Sequence, residues 1–61
     1  MNVTIEPVVN GFVIKALDGE HANEYVAQKD GKFTSDVLWA KLFTRKSDAE
    51  THAHGHNWTI K

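Results

Sequence analysis

Cysteine is absent from the 61 residues, so neither a disulfide nor a thiolate metal site can staple this chain. Charge excess is also absent. Seven Lys and Arg against eight Asp and Glu leave a net charge of −1. A nucleic-acid binder would show a basic excess or stripe, so nucleic acid is not an expected partner. Lys41, Arg45 and Lys46 form the one loose basic group and read as a solvated strand end. No apolar run is long enough to span a membrane, and the start lacks a basic-then-apolar leader. The expectation is a soluble, cytoplasmic protein. Proline occurs once, at position 7, where its missing N–H suits an edge strand.

What remains is globular in proportion, with 41% hydrophobic and 25% charged residues. A chain of this length makes one domain with a small core. Its stability must come from packing, a partner or self-association.

Residues 3–17 read as a hairpin. Asn10-Gly11 between apolar runs is a strong turn signal. A two-residue loop there sets Val9 opposite Phe12, Pro7 opposite Ile14 and Ile5 opposite Ala16. Val3, Ile5, Pro7, Val9, Phe12, Ile14 and Ala16 then share one apolar face. Glu6 and Lys15 meet on the other face as a cross-strand ion pair. Asp18–Asn23 is a polar connection. Glu24–Lys29 alternates again, with Tyr25 and Ala27 on one side and Val26 on the other. Asp30-Gly31 marks a second reversal, whose register stays open because a strict turn would oppose Lys29 to Lys32.

Residues 33–43 fit a helix or a strand. Leu38, Trp39, Leu42 and Phe43 recur at helical spacing, whereas Ala40–Phe43 suits a strand. The preferred reading is a short turn or a single helical turn, which Thr34 or Ser35 could cap, and then a short strand. Ser47-Asp48-Ala49-Glu50 is a capping box, which predicts a helix over 47–54 with Gly55 as its C′ residue. Only Ala49 and Ala53 anchor that helix. Trp58 and Ile60 alternate in a last strand. The predicted architecture is α+β: a small antiparallel sheet of four or five strands with one short helix on one face.

His52, His54 and His56 form an H-x-H-x-H run. A zinc site takes three or four ligands. If Gly55 ends the helix, His52 and His56 are separated, and His54 lies ~200° around the helix from His52. No metal or cofactor is therefore expected, and His52 and His56 are the residual metal candidates. No Ser, His, Asp or Glu falls in a nucleophile or general-base pattern, so no catalytic residue is assigned. One short helix cannot cover both faces of a sheet. The second face of the hairpin carries Val8, Val13 and Leu17, and Phe33 and Trp39 add large rings. Val8, Val13, Leu17, Phe33 and Trp39 are the candidate partner-binding residues.

Tyr25, Val26, Asp30, Gly31, Phe33, Thr34, Asp36, Ala40, Phe43 and Ala49 form a pattern that resembles many short proteins of phages and mobile elements. The resemblance covers Glu24–Ala53 and is architectural: strand, turn, short strand, capped helix. It implies an accessory protein that binds and blocks a host protein, acting in the host cytoplasm. A self-associating structural protein and a histidine-based metal-binding protein are the alternative classes.

Overall fold

A computed structural model describes residues 1–29 and 31–61. Five strands form one sheet: β1 (Asn2–Val8), β2 (Gly11–Ala16), β3 (Tyr25–Val26), β4 (Phe33–Thr34) and β5 (Thr59–Ile60). A 3-10 turn spans Val37–Trp39, and one helix, α1, spans Lys46–Gly55. The sheet order is β4-β3-β2-β1-β5. The α+β architecture with one helix on one face is as expected, with one correction: β5 lies parallel to β1, so the sheet is mixed. Parallel pairing follows because α1 carries the chain back across the sheet before β5 begins.

The hairpin forms two residues away from its expected register. Val8 pairs with Gly11, Pro7 with Phe12, Ile5 with Ile14 and Val3 with Ala16. The turn is therefore Val9-Asn10, and neither residue has positive φ. Gly11 instead carries φ +153, and a Cβ there would collide with the carbonyl oxygen of Phe43. The turn moved because the backbone of Phe43 needs that space: Phe12 and Phe43 exchange two hydrogen bonds of 2.8 Å. An even slip preserves the faces. Val3, Ile5, Ile14 and Ala16 still face the helix, while Val9 leaves the face and becomes fully exposed at the turn. Glu6 and Lys15 are now diagonal neighbours, yet their charged ends still meet at 4.0 Å.

β1 is not an edge strand at its start, where β5 pairs with Asn2 and Val3. Pro7 lies beyond that pairing, where its missing N–H leaves no ladder bond unmade. The reversal after β3 includes Asp30, which lies outside the described residues. On its far side Gly31 has φ 76, and the register sets Val26 opposite Phe33.

The 3-10 turn is capped by Asp36, whose carboxylate accepts from the Leu38 amide at 3.0 Å. Thr34 serves one step earlier, its hydroxyl accepting from the Asp36 amide at 3.1 Å. Residues 39–43 then wedge between β2 and β3 where these splay. The Lys41 amide donates to the Val26 carbonyl at 2.8 Å, and Ala40 bridges to Ala27.

α1 begins one residue before the expected capping box and ends one residue after its expected stop. Arg45 is the N-cap and gives no side-chain cap. Ser47 thus sits inside the first turn, too late to cap, and its carbonyl accepts from the Thr51 hydroxyl. At the other end Gly55 is still helical. Asn57 supplies the left-handed residue, with φ 61. The Asn57 amide donates to His54 and the Trp58 amide to Ala53, both at 3.0 Å. These two bonds are the Schellman closure, in which the chain reverses and satisfies the last carbonyls.

The main core lies between α1 and the sheet. Val3, Ile14, Val26, Phe43, Ala49 and Ala53 are buried together, with Ile5, Phe12, Phe33, Trp58 and Ile60 packed around them. Ala49 and Ala53 let the helix backbone approach the sheet closely, at the cost of little apolar area of their own. Val13 and Ala40 are buried on the opposite face. That face is therefore covered in part by the chain's own segment 37–42.

Candidate functional site

Two surfaces concentrate side chains that the fold does not consume. The larger is an open groove of about 510 Å3 on the sheet face away from α1. Val8 and Val13 form its floor from the hairpin. Val37, Leu38, Ala40 and Leu42 form a wall, Val9 closes the turn end, and Asn10 and Gln28 add polar groups. The wall stands up because the Asp36 cap starts a tight turn that has no partner layer above it. A 3-10 turn of three residues points side chains around its axis, so Val37, Leu38 and Trp39 cannot all reach the sheet. Leu38 is 81% exposed and Val9 99% exposed.

The five candidate partner-binding residues do not form one surface. Val8 and Val13 line the groove, with Val13 only 2% exposed. Leu17 (41% exposed) and Trp39 (66% exposed) are accessible but outside the groove lining. Phe33 lies on the helix side, because it pairs with Val26 and opposed residues of an antiparallel pair share a face. Sequence reasoning missed Val9, Val37, Leu38 and Leu42. Val9 was hidden by the register slip. The run Val37-Leu38-Trp39 behind a capping Asp did carry a signal: apolar residues on a single turn have more faces than the sheet can bury.

The second surface is a row of rings on the helix side. His21 stacks on Phe33 at 4.2 Å between centroids, and Phe33 meets Trp58 at 6.1 Å. Trp58 stacks on His56 at 4.5 Å, His56 lies 4.8 Å from His52, and His52 lies 5.3 Å from Phe43. The Schellman closure makes this row: it folds Trp58 back over the last helical turn, against His56. Because α1 continues through Gly55, His52 and His56 sit one turn apart on one face. The helix does end between them, at Gly55, with His56 as its C-cap, and the two rings still lie close. His54 is exposed elsewhere on the helix, and the Nδ1 atom of His21 is hydrogen-bonded to Glu24 at 2.8 Å. A small pocket of about 70 Å3 opens beside the row, lined in part by Lys32, Phe33, His52, His56 and Trp58.

Among the described residues, no three His, Asp or Glu side chains gather as metal ligands, and no helix is long and apolar enough to cross a membrane. The basic residues Arg45 and Lys46 are exposed, with Arg45 3.6 Å from Asp48. No family model, curated protein or solved structure matches the chain.

Proposed function

We propose that the protein is a non-enzymatic binding module whose groove accepts an apolar segment of another protein. The observation that carries this reading is the groove itself. Its walls are aliphatic, yet Leu38 and Val9 remain almost wholly in water. Apolar surface left open on so small a domain is a recurrent mark of an interaction site. The volume suits two or three aliphatic side chains from one amphipathic helix or extended segment. Asn10 and Gln28 offer amide donors and acceptors to the backbone of such a segment. The narrower form of the proposal is a phage-type inhibitor that occupies a host protein; its support is the residue pattern of Tyr25–Ala49.

The test is capture from bacterial lysate on the immobilised chain, followed by a titration with the purified candidate. Leu38→Asp and Leu42→Asp should each abolish saturable binding while leaving the circular dichroism spectrum unchanged. His54→Ala should bind like the parent. Undiminished binding by both Asp variants would overturn the groove as the site. Sedimentation across concentrations adds the other occupant: a dimer that Leu38→Asp dissociates would place a second copy in the groove instead.

A further inference from the structure

We propose that Asn10 is a self-modifying site: it deamidates through the backbone nitrogen of Gly11 and so places a carboxylate on the rim of the groove. The chemistry at Asn10 stands on its own geometry, while its effect on the groove rests on the binding role proposed above.

Three observations carry the proposal. First, the turn does not call for asparagine. Neither Val9 nor Asn10 has positive φ, and a turn without positive φ accepts most residues. Second, the fold requires glycine as the next residue. A Cβ at position 11 would collide with the carbonyl oxygen of Phe43, and the missing side chain leaves the Gly11 nitrogen open to its neighbour. Third, the Asn10 side chain is exposed, and among the described residues it makes no side-chain hydrogen bond. The other asparagines differ. The Asn2 amide is held on the Asp18 carboxylate at 2.8 Å, and the β-branched Val3 follows it. Asn23 and Asn57 precede Glu24 and Trp58, whose side chains crowd the nitrogen that would attack.

The step needs water and no oxidant or reductant. The Gly11 nitrogen attacks the Cγ atom of Asn10. The new N–Cγ bond closes a succinimide ring, the Cγ–Nδ2 bond breaks, and Nδ2 leaves as ammonia with the proton of the Gly11 N–H. Water then opens the ring. Addition at Cγ gives aspartate, and addition at the main-chain carbonyl carbon gives isoaspartate. The Gly11 nitrogen is reached when the Val8–Gly11 pair opens; this is the last rung of the hairpin ladder, and terminal pairs fray most readily. Either product adds a negative charge beside Val8, Val9 and Leu42 in the groove lining. A carboxylate there holds its water, so an apolar segment loses contact with that rim.

The experiment ages the full chain in warm, mildly alkaline buffer and follows it by peptide mass spectrometry and isoaspartyl methyltransferase labelling. The peptide containing Asn10 should gain about one mass unit and become a methyl acceptor, as conversion of an amide to an acid requires. Peptides holding Asn2, Asn23 and Asn57 should stay unchanged over the same interval. The aged chain should separate on ion exchange as a more acidic species than the parent, whose net charge is −1. Asn10→Gln keeps the amide but closes its larger ring slowly, so it should show neither change. Conversion confined to the chain in denaturant, conversion led by another asparagine, or an equal mass gain in Asn10→Gln overturns the proposal. Nile red, a neutral apolar dye, then reads the groove. It should bind the parent and Asn10→Gln alike, and should bind the aged fraction and Asn10→Asp about tenfold more weakly. Equal dye affinity in all of them overturns the effect on the groove. A parent that binds no dye overturns the groove and with it the effect of the carboxylate, while the mass change at Asn10 stands, so the two readings fail separately.

Discussion

Two glycines show how much of this fold turns on single backbone positions. Gly11 has no room for a side chain, because Phe43 occupies the space and φ is +153. Gly11→Ala is expected to cost on the order of 2–3 kcal/mol, through strain and a broken Phe12–Phe43 bridge. Chemical denaturation should show the loss as a lower midpoint. Gly55 is the reverse case. It is helical, and nothing lies within 4 Å of where its Cβ would be. Gly55→Ala should stabilise by about 0.5–1 kcal/mol, because alanine loses less backbone freedom in a helix. A rise in the thermal midpoint checks this. The sequence points to both glycines as turn residues, whereas Gly11 opens β2, with the positive φ expected of it, and Gly55 is helical. At helix ends, Gly and Asn both accept the left-handed conformation, so the Gly55–Asn57 stretch does not say which residue closes the helix. The answer depends on Trp58, whose indole packs on the core only if the reversal comes at Asn57.

At the scale of elements, the hairpin faces were legible and the turn was not. Alternation of apolar and polar residues decides which side chains point inward, and an even slip leaves that answer alone. The turn position depended on Phe43, more than thirty residues away, which no local pattern contains. The capping box at Ser47 failed for a related reason: the chain enters the helix at Arg45 straight from the Phe43 bridge. The Schellman closure gives a specific prediction. Asn57→Gly should be neutral or slightly stabilising, while Asn57→Val should cost about 1–2 kcal/mol for forcing a β-branched residue to positive φ. Helical signal and thermal midpoint report it together. Helix α1 also lies close to the sheet because its contacts are alanines. Ala53→Leu should therefore destabilise by about 1–3 kcal/mol through overpacking, despite added apolar area. Of the candidate binding residues, the floor of the groove was legible in Val8 and Val13. Its wall was not, since the 3-10 turn shows its surplus only when the sheet is already full.

At the scale of the molecule, the two faces of the sheet are treated differently. One face is closed by α1 and carries the ring row. The other is half closed by residues 37–42, and the groove is what that short segment fails to cover. The division of labour explains why Phe33 and Trp39, both large rings in the same stretch, end on different surfaces. The closing strand makes a further prediction. A chain ending at Asn57 loses Trp58 and Ile60 from the core and both β5–β1 hydrogen-bond partners of Met1 and Val3. It should lack a cooperative thermal transition in circular dichroism.

The parallel pair β1–β5 has a consequence for how the fold is reached. Its contacts join residues near opposite ends of the chain, Asn2 with Thr59 and Val3 with Ile60. The entropy of closing so long a loop must be met before the contact gives anything back. The hairpin β1–β2 and the helix can assemble locally, but the outer side of Val3 stays open until β5 arrives. During synthesis β5 leaves the ribosome after the other four strands of this sheet. For that interval the backbone at Asn2 and Val3 lacks the strand neighbour that β5 supplies, and an unpaired strand edge is a template for pairing with another chain.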